Sequence, residues 1–205
     1  MWISGVNLMK IFIETERLII REIIPEDIDG MFELESDPQV HKYLGNQPLK
    51  TWEETPGRIE FIRQQYIDHD IGRWAMIEKD TNNFIGWTGF KFINETVNGY
   101  INYYDLGYRM IPKYWGKGYA TEAAKACLDY GINQLKLKPV YAIADDSNSG
   151  SKNVLVKAGF TPAETFAPRY FASVVQFSTI KCMKLKTARV NGRYFIHLPL
   201  NKFRF

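Results

Sequence analysis

Apolar residues along this chain recur at strand spacing and at helix spacing in turn, and the switches between the two outline its elements. Lys10-Ile11-Phe12-Ile13 reads as an opening strand, and Arg17-Leu18-Ile19-Ile20-Arg21 reads as another by its β-branched content. Pro25-Glu26-Asp27 places a proline and two acids where a helix begins, with Ile28, Met31 and Phe32 as its apolar face. Thr51 and Glu54 stand at capping-box spacing ahead of Ile59, Ile62 and Tyr66, which repeat at helical intervals. An antiparallel meander follows: Trp74 to Ile77, the turn chemistry of Asp80-Thr81-Asn82-Asn83, Phe84 to Phe90, and Tyr100 to Met110. Gly118 to Leu135 is a long helix with Ala120, Ala124, Cys127, Leu128, Gly131 and Leu135 as its inner stripe. Val140 to Ala144 is a buried-type strand, Ser151 to Lys157 a short helix, and strand-like runs return after Gly159-Phe160 and through Phe171 to Leu185.

This order predicts an α+β domain with one βαβ-type crossover, and the longest helix lies in that crossover. With 205 residues and 45% hydrophobic content the chain builds one sizeable core. Residues 1–8 read as an extension, 9–186 as the domain and 187–205 as a tail. Asn191-Gly192 is a turn signal inside the tail. The tail extends the sheet, packs on a partner subunit or frays.

Charge and composition remove several classes of function. Lys plus Arg number 26 against 23 acids, a net charge of +3, too mild for a nucleic-acid-binding face. No segment approaches the roughly 20 apolar residues that span a bilayer, and the N-terminus lacks the pattern of a signal peptide. Cys127 and Cys182 are too far apart to suggest a disulfide framework, which fits a reduced cytoplasmic setting. His41, His69 and His197 lack the paired spacing of a metal site, so no metal is expected.

The stretch from Tyr104 to Ala124 carries the chemistry. A strand ends at Met110, a loop containing Lys113, Gly116, Lys117 and Gly118 follows, and a helix starts at once. Glycines let amides approach a ligand closely, and a helix N-terminus adds unsatisfied donors and partial positive charge, so the segment suits a pyrophosphate. It is not a P-loop: Ile111 stands five residues before Gly116, and Gly118 follows Lys117. Thr121 occupies the place of the third glycine of a dinucleotide fingerprint. Taken alone, the Gly-x-Gly is better explained by a tight turn into a helix without a ligand.

The run Gly107-Tyr108, Pro112 and Trp115-Gly116-Lys117-Gly118-Tyr119-Ala120-Thr121-Glu122-Ala123 resembles motif A of the GNAT acetyltransferases, and within them the RimJ/RimL-type branch. Asn148 to Phe160 is similar to that branch's second block, and Glu14 to Arg21 and Ser36 to Val40 to its opening elements. The resemblance implies a mixed, mostly antiparallel twisted sheet, flanked by helices, whose central parallel strands splay apart to admit acetyl-CoA. By that resemblance Arg109, Met110 and Ile111 hold the pantetheine arm through their main chain. The loop of Lys113, Tyr114, Trp115, Gly116, Lys117 and Gly118 holds the pyrophosphate, with Tyr119, Ala120 and Thr121 at the start of the helix. Lys113 stands where relatives carry Gln or Arg. Asn148 would bond the pantetheine amides, and Lys152 or Lys157 would reach a CoA phosphate.

The implied reaction is direct attack of a neutral amine on the thioester, which needs a base for the amine and an acid for the thiolate. Asp105 is the candidate base, through water, and Glu95 the weaker alternative. The tyrosine that many relatives use as the acid is Leu155 here, so Ser151 takes that role, or caps the short helix, or does both. His41, Tyr43, Trp52, Trp87 and Tyr104 fall in segments that approach the acceptor cleft in the family. The acceptor is then a small amine or a peptide N-terminus, used by a monomer or homodimer. The alternative is a non-catalytic module that senses acyl-CoA.

Overall fold

The computed structural model describes residues 9–97, 99–166, 180–185, 187–190 and 193–196, with side chains as far as residue 163. Eight strands form one sheet: β1 (Ile11–Glu14), β2 (Leu18–Arg21), β3 (Arg73–Glu78), β4 (Phe84–Ile93), β5 (Tyr103–Met110), β6 (Val140–Asp145), β7 (Phe160–Phe166) and β8 (Ile180–Leu185). Their order across the sheet is β1-β2-β3-β4-β5-β6-β8-β7. All neighbours run antiparallel except β5 and β6, which are parallel. The helices are α1 (Ile28–Ser36), α2 (Pro38–His41), α3 (Thr55–His69), α4 (Tyr119–Asn133) and α5 (Ser149–Lys157). This is the expected α+β architecture, with α4 forming the crossover between the parallel pair.

Burial on both faces explains why β3 reads as an unbroken apolar run: Trp74, Ala75, Met76 and Ile77 are all buried. On one face α4 comes close enough for Cys127 Sγ to lie 3.6 Å from Thr88 Oγ1. A Cβ added at Gly131 would stand 2.6 Å from the Phe90 ring, so the small residues of this helix set its distance from the sheet. On the other face α1 reaches the sheet through Glu35, which accepts from the indole N–H of Trp87.

Some elements differ from the sequence pattern. The inner stripe of α4 is Tyr119, Ala123, Ala124, Cys127, Leu128 and Gly131. Ala120 is only partly buried, and Leu135 is exposed because the helix stops at Asn133. The capping box at Thr51 and Glu54 does not form. The chain makes a 3-10 turn over Trp52–Glu54 and α3 begins at Thr55 with no side-chain cap. The helix start at Pro25-Glu26-Asp27 is as expected, with both acids in its first turn, but Asp27 does more than face the helix end. It is buried, paired with Arg21 at 2.6 Å, and accepts from the Ile24 amide. In the tail, β9 (Thr187–Val190) and β10 (Arg193–Ile196) pair with each other as a separate two-stranded sheet instead of extending the main one. Residues 1–8, the run 171–179, His197 and the Asn191-Gly192 turn lie outside the described residues. No described helix is long and apolar enough to cross a membrane.

Candidate active site

The parallel strands create the site by parting. β5 and β6 are partnered only at Tyr104 with Val140 and Asp105 with Tyr141. Beyond those pairs, Leu106 to Met110 on one side and Ile143 to Asp145 on the other line a cavity of about 720 Å³. Past the wedge β5 runs on into a 3-10 turn and α4, and β6 leads into α5.

At one end of the cavity lies the glycine loop. After the 3-10 turn Pro112–Tyr114, Gly116 (φ +75°) and Gly118 (φ +87°) take left-handed conformations that side-chain-bearing residues rarely adopt, and Gly118 is the N-cap of α4. The amides of Gly116 to Ala120 meet no acceptor among the described residues; the first internal bond of the helix start runs from the Thr121 amide to the Gly118 carbonyl. Five consecutive open donors at the positive end of a 15-residue helix suit an anion. Acetyl-CoA's pyrophosphate is such an anion, and the residues present fit it.

A contact between the opening strand segment and the start of α4 holds this loop in place. Glu122, in the first turn of α4, accepts from Thr15 Oγ1 at 2.6 Å, the Arg17 amide at 3.0 Å and Arg17 Nε at 2.8 Å. The same guanidinium donates to the Lys117 carbonyl at 3.0 Å and lies 4.3 Å from the Tyr119 ring centroid. Burial opposes the charge on Glu122, but the bonds from Thr15 and Arg17 bring its carboxyl below the ordinary value.

Of the expected donor-binding residues, Arg109, Met110, Tyr114, Trp115, Gly116, Gly118, Tyr119, Ala120, Thr121, Asn148 and Ser151 all line the cavity. Ile111 is buried behind it, its amide donating to the Ile85 carbonyl at 3.0 Å, and the Met110 carbonyl accepts from the Trp115 indole at 2.7 Å. These two main-chain groups are therefore engaged within the protein. Lys113 points away and pairs with Glu33 at 2.7 Å, while Lys117 Nζ lies 5.3 Å from the Tyr114 ring. Lys152 is held by Asp146, and Lys157 lines the cavity.

The second block resolves a choice that the sequence left open. Asn148, not Ser151, caps α5, its side chain accepting from the Ser151 amide at 3.0 Å. The Ser151 hydroxyl instead meets Tyr108 Oη at 3.0 Å, and Tyr108 donates to the Ser151 carbonyl at 2.8 Å. Burial pushes the Tyr108 phenol above its ordinary value, so it stays protonated at neutral pH. Tyr108 and Ser151 both line the cavity from opposite sides of the wedge.

Asp105, Gly107 and Arg109 share one face of β5. Arg73 lies across Gly107, where an added Cβ would stand 2.8 Å from its guanidinium. From there Arg73 donates to Asp105 Oδ2 at 2.5 Å and to the Asp105 carbonyl at 2.8 Å. Asp105 Oδ1 is buried and has no hydrogen-bond partner among the described residues. Burial raises the Asp105 carboxyl above its usual range, and Arg73 only partly offsets this. Beside it, Glu35 is buried and accepts from Arg109 Nη1 at 2.6 and 2.5 Å, with His41 Nε2 at 3.4 Å. Burial works against the Glu35 charge, yet His41, Arg109 and Trp87 outweigh it and hold the carboxyl at about 2. Trp87 lies between Arg73 and Arg109, which stand 5.3 and 5.0 Å from its ring.

The acceptor-side residues divide. Tyr43 and Trp87 line the cavity with Gln39, Val40 and Leu44. His41 is buried behind them, while Tyr104 packs on Phe92 outside the cavity. Trp52 is exposed and bonded to Asp29, and Glu95 is exposed in its turn. Sequence reasoning assigned no role to Arg73, Glu35, Tyr108 or Arg17. Glu35 reads as an ordinary helix acid, and its partner Arg109 is 74 residues away.

Residues 17–161 match the acetyltransferase (GNAT) domain family. The chain is 32% identical to the N-acetyltransferase p20 of Bacillus licheniformis, a protein itself named as uncharacterised, over 71% of this chain and 80% of that one. It is 26% identical to the spermidine N(1)-acetyltransferase of Escherichia coli K12, over 69% of this chain and 72% of that one. A solved GNAT-family acetyltransferase from Bacillus anthracis superposes with a TM-score of 0.67 at 26% identity, covering 84% of this chain and 96% of the other. The family match, the parted parallel strands and the open amides at the start of α4 agree, and the chain belongs to the GNAT acetyltransferases.

Proposed function

We propose that this protein transfers the acetyl group of acetyl-CoA to a primary amine by direct attack, with both substrates bound together. The supporting observation is the single cavity that joins the five open amides of Gly116 to Ala120 to the Arg73–Trp87–Arg109 surface through the β5/β6 wedge. The donor occupies the loop and wedge, held by the Gly116 to Thr121 segment and by Asn148, and supplies an activated acyl thioester. The acceptor occupies the end lined by Gln39, Val40, Tyr43 and Trp87.

Asp105 takes the proton of the incoming ammonium through water, since its carboxylate lies beneath Arg73 and its raised basicity suits the task. Ser151, hydrogen-bonded to Tyr108, returns a proton to the departing thiolate. His41 acts through Glu35 and does not touch the acceptor. The acceptor is a small-molecule amine or a protein N-terminal α-amine; likeness to the RimJ/RimL branch favours including the latter.

The test is release of free CoA across a panel of amines and peptides with varied N-termini. Asp105→Asn should lower kcat/KM by about 10²–10⁴-fold while acetyl-CoA binding is retained. A raised carboxyl must ionise before it accepts a proton, so the wild-type rate falls as pH drops through its titration, and the variant lacks that limb. An unchanged profile removes Asp105 from the role. Binding of acetyl-CoA without turnover of any amine would instead identify an acyl-CoA sensor.

A further inference from the structure

The guanidinium of Arg109 is only half used. Its Nη1 carries both contacts to Glu35, while the Nε and Nη2 donors meet no acceptor among the described residues. Arg109 lines the cavity with a side chain 20% exposed. Two parallel N–H donors on one planar edge match the two oxygens of a carboxylate.

The surrounding charges point the same way. Arg109 feels the positive charges of Arg73 and Arg58 against the single carboxylate of Glu35, and Asp105 is already faced by Arg73 and Lys91. Burial and the positive charges of Arg73 and Arg58 depress the Arg109 pKa, opposed by Glu35, and an incoming anion would relieve that repulsion. Glu35 cannot serve a second cation, because Arg109, His41 and Trp87 already surround its carboxylate. A polyamine tail would meet guanidinium groups where it needs free carboxylates.

We infer that the acceptor is an amine that also bears a carboxylate, and that the open edge of Arg109 binds the carboxylate while the amine lies toward Asp105. Asp105 and Arg109 are four residues apart on one strand face, with Cα atoms roughly 13 Å apart, so the two side chains address different ends of one small molecule. The inference rests on the acetyl-transfer reading for its chemistry but not for its binding.

The experiment uses paired amines that differ only in a terminal carboxylate or carboxamide, from glycine to 6-aminohexanoate, with spermidine alongside. In the longer pairs the amines have equal basicity, so the acid-to-amide ratio of kcat/KM reports the far end. A charge-assisted bidentate contact should favour the best acid by about 10- to 100-fold, carried by KM. Arg109→Lys keeps a charge beside Glu35 but loses the fork, and should cut that ratio at least fivefold. The exposed Arg58→Gln leaves the buried pair intact and should lower the ratio two- to fivefold, decreasing further with salt; it decides the matter if Arg109→Lys does not fold. Equal turnover of acids and amides, preference for spermidine, or a ratio untouched by these variants overturns the inference. Calorimetric titration of the same pairs onto the CoA-loaded protein separates the two readings. Tighter binding of the acid, lost in Arg109→Lys but without acetylation, sinks acetyl transfer and retains the anion site. Acetylation of amides with no preference for acids does the reverse.

Discussion

Replacing Glu35 by Gln removes the charge between Arg109 and His41 while keeping the shape and an acceptor oxygen. The Glu35 carboxyl is held at about 2 against an ordinary 4.5. At about 1.4 kcal/mol per pH unit, that gap is worth about 3 kcal/mol of folding stability. The same magnitude follows from removing one partner of a buried ion pair, which costs about 3–5 kcal/mol. A carboxyl depressed in the folded state stabilises the protein above its unfolded pKa, and that contribution is lost as pH falls from about 4.5 toward 2. Protonated Glu35 is nearly isosteric with Gln. The stability difference between wild type and Glu35→Gln should therefore be about 3 kcal/mol at pH 7 and narrow by about 1.4 kcal/mol per pH unit below 4.5. Urea unfolding followed by tryptophan fluorescence from pH 7 to pH 3 measures it, and carboxylates titrating identically in both proteins cancel. A gap that stays constant down to pH 3 would refute the assignment of Glu35 as the buried counter-ion.

Three further outcomes test the donor site and its support. Gly118→Glu places a side chain at φ +87° and a negative charge beside the open amides, and acetyl-CoA affinity measured by titration should fall at least about 30-fold. Ser151→Ala and Tyr108→Phe act on one hydrogen-bonded pair, so each should lower kcat by about tenfold and the double variant by little more; multiplied losses would show separate roles. Glu122→Gln weakens the Thr15 and Arg17 contacts at a partly exposed site. It should cost about 1–2 kcal/mol and lower Tm by about 2–4 °C per kcal/mol, with a weaker affinity for acetyl-CoA because the loop is less firmly held.

The helices, the meander and the glycine loop were legible in the sequence because each depends on local spacing. Strand alternation and the positive-φ demands at Gly116 and Gly118 are properties of a few adjacent residues. The motif blocks identified the family for the same reason. The long-range pairings were not legible. Glu35 finds Arg109 across 74 positions, Arg73 finds Asp105 across 32, and Thr15 finds Glu122 across 107. Nothing in the pattern of a helix acid or a strand arginine names such a partner. Ser151 shows the division at a single residue: a serine near a helix start reads as a cap, but Asn148 three positions earlier takes that bond and frees the hydroxyl for Tyr108. Sequence determined where a glycine loop would lead into a helix start. Only the tertiary structure decided which charges at the acceptor end are already neutralised and which remain open, because that depends on side chains brought together from separate elements across one sheet.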